Sequence, residues 1–89
     1  MKAIVTVVGK DQVGIIAAVC IKMAEYNVNV LDISQTVMQG YFTMMMVVDV
    51  SGCTLPLSEF AAVMDATGKE RALSIRVQRE DIFEAMHRI

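Results

Sequence analysis

Tryptophan is absent from the 89 residues, and the aromatics amount to three Phe and two Tyr. RNA-recognition sheets need stacked aromatic and basic side chains, so that function is excluded. Excess positive charge is also missing. Eight Lys and Arg stand against ten Asp and Glu, a net charge of -2, so no long-range field draws nucleic acid or an anionic membrane. Histidine occurs once, as His87. No second His, Cys or carboxylate lies at ligand spacing from it, so it reads as a solvent-facing helix-end cation and no metal site is expected. The two cysteines, Cys20 and Cys53, make neither a disulfide framework nor a zinc site. They read as a small buried hydrophobe and a loop thiol. No apolar run approaches the ~18 residues of a membrane span; the longest, Tyr41 to Val48, is interrupted by Thr43 and stops at Asp49. Met1 to Thr6 runs directly into a strand pattern without a small-residue cleavage site. The expected compartment is the cytoplasm.

Apolar residues are what the chain has in plenty, at 55%. A domain this small cannot hide them all, and oligomerisation is a common remedy. The whole chain, 1–89, reads as a single domain.

Lys2 to Val8 is a β-branched strand ended by Gly9. After the turn Gly9–Gly14, Ile15, Ile16, Val19, Cys20 and Met23 recur at helical spacing, and Asn27 suits the left-handed residue that closes such a helix. Val28 to Gln39 and Phe42 to Val50 form a hairpin about Gly40-Tyr41. Pro56 fits the first turn of a second helix whose stripe is Leu57, Phe60, Ala61 and Met64, with Gly68 near its end. Leu73, Ile75 and Val77 alternate with Ser74, Arg76 and Gln78, giving a last strand with one wet face. Asp81 caps a short C-terminal helix carrying Ile82, Phe83 and Met86. The order β-α-β-β-α-β is the ferredoxin-like split βαβ, an α+β sandwich with a four-stranded antiparallel sheet and two helices on one face. In the third strand both faces carry apolar residues. Either the C-terminal helix or a second subunit covers the far one.

The fold hosts many functions, so the residues must decide. A soft-metal carrier would place Cys-x-x-Cys where Lys10-Asp11-Gln12-Val13 stands, and an acylphosphatase-like enzyme would need an arginine there. Gly9 and Gly14 match half a phosphate-binding loop, but Ile15 and Ile16 replace its Lys and Ser/Thr. Asp11, Asp32 and Asp49 fall on different elements and make no acid/base pair. No catalysis and no cofactor are expected.

The stronger signal is the turn into the first helix. Its first N–H groups lack intrahelical partners and favour an anion, so a carboxylate can dock there. Gly14 allows close approach, and Asp11 can accept hydrogen bonds from an amine. Together these suit the two ends of a free amino acid. The structural alternative is that Asp11 caps the helix and Gly14 satisfies a backbone angle.

Lys10-Asp11-Gln12-Val13-Gly14-Ile15-Ile16, then Ala24 to Val30, then Asp32-Ile33-Ser34-Gln35-Thr36, resembles an ACT domain. The stretch is most similar to small stand-alone bacterial and archaeal members related to the glycine-cleavage-system repressor. The resemblance implies a regulatory module that pairs, often through a continuous eight-stranded sheet, and binds amino acids between protomers. It implies a ligand held by Asp11, the backbone of Gln12, Val13, Gly14 and Ile15, and Asn29. Asp32 is added as a polar residue of the second strand. The expected function is an amino-acid-sensing homodimer or higher oligomer, read by a regulated protein partner. The alternative is a protein–protein interaction module with no small-molecule ligand.

Overall fold

The computed structural model describes residues 1–81. The C-terminal helix expected over Ile82, Phe83 and Met86, and His87 with it, lie outside the described residues. Strand β1 spans Lys2–Lys10, helix α1 Ile15–Glu25, β2 Asn29–Met38, β3 Tyr41–Asp49, α2 Leu57–Glu70 and β4 Ser74–Arg79. The strands form one antiparallel sheet in the order β2-β3-β1-β4. This is the ferredoxin-like arrangement read from the element order.

Alternation decides which face each strand buries. Phe42, Met44, Met46 and Val48 of β3 and Ala3, Val5 and Val7 of β1 are buried, pointing to the helical layer. Ile15, Val19 and Met23 return to one side of α1 every fourth residue and meet them. Phe60 and Met64 do the same from α2. Phe60 is fully buried and edge-on to Tyr26, centroids 6.1 Å apart. Burying such a ring contributes on the order of 2–3 kcal/mol.

Gly68 lies near the end of α2, as expected, while several boundaries move from the sequence reading. β1 continues two residues past Val8, because Gly9 and Lys10 still pair with Phe42 and Tyr41. The hairpin turns on Gln39 and Gly40, both at positive φ (52° and 81°), so Tyr41 belongs to β3. Pro56 stands just before α2 rather than within it. Gly68 is a buried residue inside α2, which runs on to Glu70. Asn27 takes the left-handed conformation expected of it, φ 59°. Its Nδ2 donates to the Gly52 carbonyl at 2.9 Å.

The helical layer touches β2 only sparsely, and Val30 is its one residue packed against the core. From Asn29 to Met38 every residue is exposed except the half-buried Val30, including Leu31, Ile33, Val37 and Met38. A bulge at Leu31 interrupts its ladder with β3.

Candidate functional site

At one end of the sheet three connections converge: the Asp11–Gly14 turn, the Gln39–Gly40 hairpin tip and the link from α2 to β4. The Asp11 amide donates to the Gly40 carbonyl at 2.8 Å, extending the β1–β3 ladder into the turn. Gln12 Nε2 donates to the Arg71 carbonyl at 3.0 Å. Gly9 makes the third approach possible: a β-carbon there would stand 2.5 Å from Leu73 Cδ2 and 3.3 Å from the Ala72 carbonyl oxygen. A side chain at position 9 would force the Leu73 side chain aside and crowd the Ala72 carbonyl.

Gly14 is the residue before α1 and sits at φ 86°, a left-handed backbone that glycine adopts freely. No side chain caps the helix, and its first turn holds no acid. The capping role considered for Asp11 is therefore not what its carboxylate does. The first intrahelical bond from this start is Ala18 N–H to the Gly14 carbonyl, 2.9 Å. The preceding N–H groups face outward with the positive end of the helix dipole.

Arg71 completes the charge pattern and is the residue that sequence reasoning missed. Its Nη1 lies 3.8 Å from where a β-carbon on Gly14 would stand. A guanidinium thus overlooks the open start of α1, with the Asp11 carboxylate exposed on the same turn. Val13 projects almost wholly into solvent, 97% exposed, while Ile15 turns inward at 3%. Of the predicted set, Asp11, Gln12, Val13, Gly14 and Ile15 are therefore together.

Asn29 and Asp32 are not with them. Asn29 opens β2 opposite Asp49, at the far end of the sheet from the hairpin tip. The rise along a strand puts those ends roughly 30 Å apart. Asp32 is exposed, and its Oδ1 accepts from the Ile33 amide at 2.9 Å. It borders a shallow cleft of about 140 Å³ with Ser34 and Met45.

Among the described residues no group of three His, Cys, Asp or Glu is placed to hold a metal ion. No described helix is long and apolar enough to cross a membrane. The Asp49 carboxyl is displaced downward from its ordinary value of 3.8. The causes are hydrogen bonds from the Ser51 side chain and then its backbone amide. The Ser51 amide lies 2.9 Å from Asp49 Oδ1, and the amino group of Met1 3.6 Å.

A ferredoxin-like sheet with an open, arginine-flanked helix start is the class that fold and geometry define. The ACT domain model matches residues 2–78, and the chain belongs to that family. A UPF0237 protein of Listeria monocytogenes is 49% identical over 89 residues, all of both chains. An ACT domain protein from Streptococcus pneumoniae superposes with a TM-score of 0.83 at 47% identity, over 98% of each chain. A putative glycine cleavage system transcriptional repressor shares the fold at 19% identity and a TM-score of 0.73, over 86% of this chain and 44% of that one.

Proposed function

We propose that the chain, acting as one domain over its full length, is a regulatory amino-acid-binding homodimer without catalysis or cofactor. Each ligand sits where the Asp11–Gly14 turn of one copy meets the Asn29 end of β2 in the other. The observation that carries this is the separation of the two half-sites along an uncovered edge strand. Two β2 edges joined antiparallel about a twofold axis bring the partner's Asn29 beside the hairpin tip, and so to the end that holds the turn. The same joint buries Ile33 and Val37, which no described element covers, and extends the sheet to eight strands. A symmetric pairing of this kind is the commonest route to a dimer.

In this site the ligand carboxylate rests on the free N–H groups of α1 and on Arg71. Asp11 accepts from the ligand amine, and Asn29 hydrogen-bonds it from across the joint. Val13, exposed in the single chain, closes over the bound molecule. Binding favours the paired state through differential affinity, and a protein partner in the cytoplasm reads that pairing. The repressor with which the chain shares its fold is a regulator by name, which agrees with a signalling rather than a chemical role.

The competing reading, an interaction module with no small ligand, draws on the same apolar β2 edge. Thermal melting against the twenty amino acids separates the two. A ligand at ~100 times its dissociation constant adds ~2.7 kcal/mol. One amino acid is expected to raise the melting temperature by several degrees, with the gain lost in Asp11→Ala and in Asn29→Ala. Silence across the panel favours the interaction module.

A further inference from the structure

With β2 committed to the dimer, β4 is the other outer strand, and no described strand pairs with its outer edge. Beside it runs an open groove, apolar where Leu57, Ala61 and Val77 line it. Two clefts of about 290 and 460 Å³ share Ala61, Val77 and Gln78, and so run together along the strand. One wall is α2, through Leu57, Ser58 and Ala61; the floor is Val77 of β4. An open strand edge beside an apolar trough is the geometry that accepts an added strand: backbone bonds hold it, and alternate side chains fill the trough.

Charge says which strand. The six residues of β4 carry Arg76 and Arg79 and no acid, in a chain whose net charge is -2. Arg79 is satisfied by Asp81, its Nη2 2.7 Å from Oδ2. Arg76 has no ion-pair partner among the described residues. Its pairing with Thr6, flanked by buried Val5 and Val7, puts its side chain on the sheet face away from the helices. A second β4 is the poorer occupant, since the twofold register centred on Arg76 sets Arg76 against Arg76 and like charges there are destabilising.

We infer that β4 and α2 form the docking edge for an extended segment of a different protein, apolar at alternate positions and carrying a carboxylate opposite Arg76. The apolar side chains enter the trough at Ala61 and Val77, and the carboxylate lies on the other face, within reach of the guanidinium. The identity of the occupant as another protein rests on the proposed β2 dimer. The dimer then offers two such edges at its outer rims, away from the joint that senses the ligand.

The test uses two fluorescent octapeptides, alternating valine with glutamate or valine with lysine, titrated into the full chain without amino acid. The glutamate peptide is expected to bind saturably and to slow amide exchange over Ser74–Arg79. Arg76→Glu weakens it about tenfold or more and moves the preference to the lysine peptide, which a merely structural arginine would not do. Absence of saturable binding, indifference to the charge of the peptide, or protection on β2 instead of β4 overturns the inference. So does growth of the chain beyond a dimer that Arg76→Glu abolishes, because the occupant is then β2 of another copy, whose Asp32 supplies the carboxylate. Amino-acid melting and peptide binding are read separately, so either proposal can fail while the other stands.

Discussion

β2 and β4 are both outer strands of the same sheet, yet they meet their surroundings differently. β2 is ten residues long, has one charge, Asp32, and leaves Leu31, Ile33 and Val37 uncovered. β4 is six residues long, carries two arginines and has α2 packed beside it. Edge strands left open are normally short or charged, because a long apolar edge recruits other chains. β4 follows that rule and β2 breaks it, apart from its bulge. On the proposed reading, self-pairing therefore belongs to β2 and charge-selective docking to β4.

The largest disturbance of this contrast comes from Gly68→Val. A β-carbon at Gly68 would stand 2.7 Å from the Leu73 carbonyl oxygen and 3.0 Å from Ile75 Cγ1. The backbone oxygen cannot yield as a flexible side chain can, so α2 is levered off β4. A loss of about 3 kcal/mol is expected by denaturant unfolding; an unchanged midpoint would mean that α2 does not brace that edge.

Next is Ile33→Lys. Ile33 is 43% exposed in the single chain, so its own fold loses little, while the β2 joint gains a buried charge. The dimer dissociation constant, from sedimentation equilibrium, should rise about tenfold or more, at least ~1.4 kcal/mol. Arg76→Glu is the mirror control on the other edge. It should leave that constant alone and shift stability by less than about 0.5 kcal/mol.

The smallest effect concerns Asp49, beside the Asn29 end of β2. Its carboxyl titrates below the ordinary 3.8 in the folded chain because Ser51 hydrogen-bonds the charged form. A depressed carboxyl stabilises the fold above its unfolded value, and that contribution is lost as pH falls through the lower folded value. Melting should therefore weaken on acidification through that window, and Asp49→Asn should flatten the change. A variant that follows the wild-type acid limb would put the cause elsewhere.

Much of this architecture is legible in the residues. Strict alternation in Leu73–Val77, the four-residue repeat of α1, and Asn27 at the helix end are local signals, and locally they decide. The Asp11–Gly14 turn was legible for the same reason. Arg71 was not, because its place beside Gly14 depends on Gly9 admitting the Leu73 link, a contact between segments about sixty residues apart. Nor was the distance from Asn29 to the turn, which follows from strand order rather than from any motif. The place of Gly68 near the end of α2 was legible from glycine's habit, but the close approach of the Leu73 carbonyl oxygen that it admits was not. Exposure of β2 was hidden too, since a half-buried strand shows the same alternation as one that the helices barely cover.

The central claim is that one ligand is held by two copies, and complementation between variants tests it directly. Asp11→Ala and Asn29→Ala chains, each unable to bind alone, are mixed and allowed to exchange subunits. In a mixed dimer, one site receives an intact turn from one copy and an intact Asn29 from the other. Random exchange should restore about a quarter of the wild-type binding capacity, measured by calorimetry with the stabilising amino acid. A mixture as silent as its two components would contradict a site shared across the dimer.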